Sequence, residues 1–449
     1  MTKGAVSRTP EGVRKPSREE FGEFDSHSRL RAAPRIAELQ EVVITGIGAI
    51  LPNCERRAEL WQQLRDGQSQ LQIEPDPADQ LACAIGRVRA FEFDKYLPRV
   101  PERIYRTWHR EQRFYVASVV QALADARLDL DTVDTHRVGL FDGTSRGSFA
   151  YWHELMTDKL REGTRFTLRD LSSGMPGQAV GLAAAVLRMK GPTYTFNGTC
   201  ASGVIAIGNA FRELQAGRID MAVGTGHDAA LVAPLFQMYR DGNLLSREAE
   251  QPGRAIRPYA GSQANAFGEG AVSLVLETRV HAEARGAEIL ALIVGFRHGN
   301  GGEHPTDVDF TGERPALLIG DVLSESNLSA AQVDFILGHG NGVPASDISE
   351  LNYMKRVFGR RTHEVPLIST KPIYGHTLGA SSALNVAAAA LMLQHDYVIP
   401  TIGLDENRVV HGFNHQANHG VERSLRSGVV VAYGIGGQNA VLALRKADP

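Results

Sequence analysis

The chain has little cysteine: three in 449 residues, Cys54, Cys83 and Cys200. Three thiols make no disulfide framework, and that usage fits a reducing cytoplasm. No run reaches the roughly 18 apolar residues that a spanning helix requires. Residues 1–40 are polar and charge-rich and lack the apolar centre of a signal peptide. There is no surplus of positive charge either: 48 Lys and Arg face 51 Asp and Glu, a net charge of −3. Nothing in that balance favours nucleic acid or an anionic membrane as a bulk partner, although a local basic patch could still dock an acidic protein. The Walker motif is missing, and Thr45-Gly-Ile-Gly48 is only a fragment of the G-x-G-x-x-G fingerprint, so no nucleotide cofactor is expected. No short-period repeat is present, which excludes a solenoid.

What is present describes an ordinary globular chain, 43% hydrophobic and 22% charged. Its length exceeds what one small core can serve, so two packed halves are expected. Residues 1–40 are expected to be a mobile or loosely attached extension, with a partner-docking arm as the alternative. The β-branched run at 41–48 reads as a buried strand ended by a glycine turn. Residues 58–66 and 110–127 read as helices, and 137–142, 193–196, 221–226 and 271–277 as strands. Ser202 to Ala216 reads as a helix with Val204, Ile207, Phe211 and Leu214 on one face, closed by Gly217. A second series follows, with strands at 290–294, 335–338, 367–369 and 429–432 and helices at 313–326, 347–358 and 380–393. Two successive alternating series predict an α/β fold of two similar halves, 41–288 and 289–449.

Cys200 stands in Thr-Tyr-Thr-Phe-Asn-Gly-Thr-Cys-Ala-Ser-Gly (193–203), between a strand and a helix start. A thiol there feels the positive end of the helix dipole, which favours the thiolate. Gly198 and Gly203 keep the turn lean, and the Cys200 N–H is free to meet an oxyanion. A small buried core thiol is the plainer alternative. His339 and His376 each follow a glycine after a strand, where open α/β sheets gather functional groups. Either alone could be a satisfied core histidine; two in matching contexts, the second preceded by Lys371, weaken that reading. The glycine-rich stretch 433–439 offers bare N–H groups for an oxyanion hole, or only a tight turn. His411, His415 and His419 recur at ligand-like intervals, but Gly412, Asn414, Asn418 and Gly420 argue for a loop, and no metal is expected.

These segments together resemble the β-ketoacyl synthases, condensing enzymes of the thiolase superfamily, from about Val42 to Leu444. The resemblance is carried by Val-Val-Ile-Thr-Gly-Ile-Gly, Gly-Thr-Cys-Ala-Ser-Gly, Arg257-Pro-Tyr with Phe267-Gly-Glu-Gly-Ala, the segment His339-Gly-Asn-Gly-Val-Pro-Ala-Ser-Asp-Ile-Ser-Glu, Lys371 with Gly375-His376, and Gly434-Ile-Gly-Gly-Gln-Asn, in that order. It implies a five-layered αβαβα thiolase fold. It also implies that Cys200 takes an acyl chain from an acyl carrier protein, with the N–H groups of Cys200 and Ile435 as oxyanion hole. His339 and His376 would stabilise the enolate formed when a malonyl-type extender on its carrier loses carbon dioxide. Lys371 resembles the family's structural lysine, paired with Glu350 or Glu269, and Glu269, Glu350 and Asn439 would support the site. A dimer is implied, either a homodimer or a pair with a chain-length-factor-like subunit, and no cofactor.

The departures touch the pocket. Asn341 and Val343 replace the usual threonines of the first histidine motif, Ile435 replaces the phenylalanine that helps gate the cysteine, and Gln438 replaces a threonine. Ser381-Ser382 stands where Ala-Gly is common. They suggest a specialised branch, with decarboxylative Claisen condensation in a type II polyketide or fatty-acid-like pathway as the leading expectation. No other catalytic segment is evident, so a stand-alone ketosynthase is expected. An acyltransferase or malonyl decarboxylase on the same scaffold is one alternative. A structural subunit of a ketosynthase heterodimer is another, although such partners usually lack the cysteine.

Overall fold

The computed structural model describes residues 39–260, 264–302, 308–405 and 409–447; the expected extension at 1–40 lies outside them except for its last two residues. Ten strands form one mixed sheet: β1 (Val42–Ile50), β2 (Val138–Thr144), β3 (Thr193–Phe196), β4 (Met221–Asp228), β5 (Gly270–Thr278), β6 (Ala291–Asn300), β7 (Phe335–Leu337), β8 (Leu367–Ile368), β9 (Ser427–Gly434) and β10 (Gln438–Arg445). Their spatial order is β8-β7-β9-β10-β6-β1-β5-β4-β2-β3. Numbered within each half, both halves read third-second-fourth-fifth-first outward to centre. In each, the first and fourth strands run antiparallel to the fifth, and the second and third run parallel to the fourth. A short antiparallel contact, Val42 opposite Ile293, joins the halves.

The helices used below are α1 (Arg57–Asp66), α2 (Arg110–Asp125), α3 (Phe149–Glu162), α4 (Gln178–Leu187), α5 (Ser202–Gln215), α6 (Ala233–Asp241), α7 (Glu313–Glu325), α8 (Pro344–Phe358) and α9 (Gly379–His395). Helices α5 and α9 pack on each other and touch strands of both halves, while α2 with α4 and α7 with α8 cover the outer faces. The order is therefore helix, sheet, helix, sheet, helix. A central helix meets protein on every side and must be apolar all round. Accordingly residues 379–393 of α9 are all buried. Alanines and glycines let the layers close: a Cβ on Gly203 of α5 would stand 2.7 Å from both Gly379 O and Ala383 N.

One expectation about local structure is corrected and another refined. The glycines of Thr45-Gly-Ile-Gly48 do not end the first strand; β1 runs through them to Ile50. They admit α2 instead: a Cβ on Gly46 would lie 2.4 Å from Ala122 O and one on Gly48 2.0 Å from Ser118 O. The glycine-rich stretch 433–439 does make the expected tight turn after a strand, but another strand follows it. It is the tip of a β9–β10 hairpin, with Gly436 and Gly437 at φ +87° and +72°, a conformation glycine takes without strain. Helices α3, α4 and α6 also went unanticipated; only in α4, Gln-Ala-Val-Gly-Leu-Ala-Ala-Ala-Val-Leu, do alanines and glycine weaken the apolar period. The segment bearing His411, His415 and His419 is a loop, and His415 is buried in it, stacked on Tyr259 with ring centroids 4.6 Å apart.

Candidate active site

The groups of interest follow the C-terminal ends of parallel strands from both halves. β3 leads into a helical turn, Thr199–Ala201, and then α5; Thr199 at φ +52° bends the chain so that Cys200 sits at the head of the helix. β7 leads through Gly338 to His339. After β8, the chain passes Lys371 in the short helix Lys371–Tyr374, then Gly375 at φ +79°, and reaches His376. β9 ends at Gly434, beside Ile435. No Cβ fits at Gly434, since it would lie 2.0 Å from Thr199 Oγ1 and 2.4 Å from Gly198 O. The closing hairpin thus lies against the nucleophile turn, and Thr199 Oγ1 donates to Ile435 O at 3.3 Å. Asn439 steadies the hairpin by donating from Nδ2 to Gly437 O at 2.8 Å.

These residues surround one cavity of about 710 Å³ whose lining includes Cys200, His339, His376, Asn341, Phe310 and Ile435. His376 Nε2 is 3.0 Å from Cys200 Sγ. The two imidazoles meet edge to face with centroids 5.6 Å apart. Burial, reinforced by Lys371 and by the other positive or titratable neighbours, holds both histidines well below the usual histidine range, so both are neutral. Tyr433 N–H donates to His339 Nδ1 at 3.4 Å, which leaves the His339 proton on Nε2. For Cys200, burial outweighs the expected help from the helix start and pushes the thiol up to about 11. Arg146, Lys371 and the Cys200 backbone N–H pull the other way.

The supporting carboxylates have separate tasks. Glu350, on α8 and fully buried, accepts from His339 N and Gly340 N, each at 2.6 Å, and from the hydroxyls of Tyr259 and Tyr353 at 2.7 and 3.0 Å. Glu269 is held instead by Arg110 of α2 at 2.7 Å and by Val88 N at 3.1 Å. Its segment pairs with the His376 loop: Gly268 N donates to His376 O and His376 N to Ala266 O. The expected direct pairing of Lys371 with Glu350 or Glu269 is therefore corrected. Lys371 Nζ donates to the His339 carbonyl, and Glu350 reaches it only through space. Burial drops Lys371 to about 8.

Several residues of the site escaped the reading of the sequence. Asp228, at the end of β4, accepts from Thr144 Oγ1, Ser145 N, Arg146 N and Gly379 N, tying β2 and β4 to the start of α9. Arg146 follows the end of β2; its Nε is buried without a partner, and a long 3.4 Å contact joins it to Tyr239 OH. Asp228 closes its strand and Arg146 stands two residues past the end of another, close to the position that singled out the histidines.

Comparison with known proteins identifies the family and the fold. Residues 39–282 match the N-terminal domain of β-ketoacyl synthases and residues 290–405 their C-terminal domain. The 3-oxoacyl-[acyl-carrier-protein] synthase 2 of Synechocystis sp. is 30% identical over 418 residues, covering 91% of this chain and 99% of that one. The ishigamide ketosynthase/chain length factor superposes with a TM-score of 0.82 at 26% identity, over 91% of this chain and 100% of the other. A type II polyketide synthase acyl-carrier protein in complex with its ketosynthase bound to the hexaketide gives 0.80 at 25% identity, with the same coverage. The fold is that of the thiolase-like ketosynthases. The chain belongs to the β-ketoacyl synthase family, with the carbon–carbon bond-forming condensing activity of that family. Among the described residues no helix is long and apolar enough to cross a membrane.

Proposed function

We propose that this protein is a β-ketoacyl-[acyl-carrier-protein] synthase of a type II polyketide or specialised fatty-acid-like pathway, working in the cytoplasm. The observation that carries the reading is one cavity in which a buried cysteine lies 3.0 Å from one of two neutral histidines. Cys200 attacks the thioester of an acyl carrier, the carbon–sulfur bond to the carrier breaks, and the acyl chain remains on Cys200. The N–H groups of Cys200 and Ile435 hold the oxyanion of each tetrahedral intermediate. A malonyl-type extender then loses carbon dioxide, and the bonding electrons pass into its thioester carbonyl. His339 and His376 donate hydrogen bonds to that developing enolate. The carbanion attacks acyl-Cys200, thiolate leaves, and a β-ketoacyl carrier departs. Lys371 and Glu350 hold the His339 loop, and Glu269 the His376 loop.

Residues 41–288 supply the nucleophile and 289–449 the histidines and Lys371, so both halves serve one reaction. A second ketosynthase-fold subunit, either a copy or a chain-length-factor-like partner, would pair along β3. Among the described residues that strand is an edge of the sheet, and Tyr194 on it is 45% exposed. Supplying acyl-carrier and malonyl-carrier, with and without such a partner, tests the assignment. A β-ketoacyl carrier product supports it; acyl transfer without extension, with the partner present, would replace it by an acyltransferase.

A further inference from the structure

We propose that Ser381 is a positioning residue that keeps the proton of neutral His376 on Nε2, so that this histidine faces Cys200 as a hydrogen-bond donor and not as a base. Ser381 Oγ lies 3.0 Å from His376 Nδ1, and Thr377 Oγ1 lies 3.0 Å from Ser381 Oγ. On the far side of the ring, Nε2 is 3.0 Å from Cys200 Sγ. Ser381, His376 and Thr377 are respectively 3%, 1% and 0% exposed, so bulk solvent does not reach the set.

The direction of the chain follows from counting hydrogens. Each hydroxyl has one hydrogen to give, and a buried one needs an acceptor. If Thr377 donates to Ser381 and Ser381 donates to Nδ1, each of these hydrogens has an acceptor and the imidazole proton points at Cys200. With the order reversed, the Thr377 hydrogen has no acceptor among the described residues. An imidazole whose Nδ1 already accepts could take the Cys200 proton only by becoming a buried cation close to Lys371 and Arg146. Cys200 therefore reacts as thiolate: its proton goes to solvent, and the departing carrier thiolate takes a proton back, so the exchange balances with the His376 proton in place. His339 reaches the same tautomer by another route, through Tyr433 N–H. Both rings then present Nε2–H groups to the cavity, the arrangement an enolate oxygen needs.

The adjacent serine has its own task. Ser382 Oγ accepts from Val204 N at 3.2 Å and so serves the first turn of α5, the nucleophile helix. The two hydroxyls of Ser381-Ser382 thus act on the two halves of the site separately.

The test uses the full chain with ¹⁵N-labelled histidine, the His376 signals being assigned by their absence in His376→Ala. The expected spectrum has a protonated Nε2 and a bare Nδ1. In Ser381→Ala the bare Nδ1 loses its donor and the other tautomer gains population. Decarboxylation of malonyl-carrier then falls about tenfold or more, while alkylation of Cys200 by iodoacetamide persists. Ser381→Thr keeps the hydroxyl and restores both tautomer and decarboxylation, which a purely packing role would not do. A protonated Nδ1 in the unaltered protein, or a Ser381→Ala protein with unchanged tautomer and decarboxylation, overturns the proposal. Its kinetic readout rests on the condensing-enzyme reading, but the tautomer does not. A protein inert toward malonyl-carrier would defeat that reading, and the spectrum would still decide the role of Ser381.

Discussion

Cys200 stands in opposing fields. Burial lifts its thiol to about 11, while Arg146, Lys371 and its own N–H draw it down. At neutral pH only a small share is thiolate, so the rate of Cys200 alkylation should climb about tenfold per pH unit up to that value. Arg146→Met removes the largest opposing charge, raises the thiol further, and should slow alkylation at pH 8 about tenfold. A pH profile of iodoacetamide modification, read by mass, checks both; a plateau below pH 8 would show a thiolate already formed. The two histidines carry a different load. His339→Ala should lower decarboxylation of malonyl-carrier about a hundredfold, the typical cost of one oxyanion donor, and leave acylation of Cys200 largely intact. Following carbon dioxide release and Cys200 acylation in the same sample separates the two steps.

Helices and loops place those residues, and their failures should be structural first. Glu350 accepts four hydrogen bonds from His339 N, Gly340 N, Tyr259 and Tyr353. In Glu350→Gln an amide NH₂ faces donors, and the protein should lose about 2–4 kcal/mol of stability, measured as a denaturant midpoint shift with unchanged slope. Gly203→Ala places a methyl against the backbone of α9, which cannot yield as a flexible side chain would. About 2 kcal/mol of destabilisation is expected despite alanine's better helix propensity. At this scale the sequence was legible where period and punctuation were strong. β3, α5 and α9 sit within two residues of their expected bounds. It was illegible where an interaction distant in the chain decides the outcome. Asn-Ala-Val-Leu-Ala-Leu-Arg at 439–445 becomes a strand because β9 and β6 pair with it on both sides. Likewise the partner of Lys371 is a carbonyl of the His339 loop, and no local pattern announces a backbone acceptor. Cys200, His339 and His376 were visible because each follows a strand end with glycine nearby; Arg146 follows a strand end and Asp228 closes one, but a charged residue there also reads as ordinary surface.

The whole molecule brings Cys200 from one half to within 3.0 Å of His376 from the other by laying α5 and α9 together between two like-ordered halves of a sheet. Its β3 edge should pair with a second subunit. Tyr194→Glu should then shift the sedimenting mass from dimer toward monomer with little change in melting temperature, and an unchanged mass would place the interface elsewhere. The central claim is that this cavity loads an acyl chain on Cys200 and extends it there. A single-turnover pulse and chase tests it most directly. Isotopically labelled acyl-carrier is added, the protein is digested and its peptides weighed, and malonyl-carrier follows. The account predicts label on the Cys200 peptide alone, none in Cys200→Ala, and full transfer of label to a β-ketoacyl carrier on the chase. Label that resides on another residue, or that stays on Cys200 while malonyl-carrier loses carbon dioxide, would contradict it.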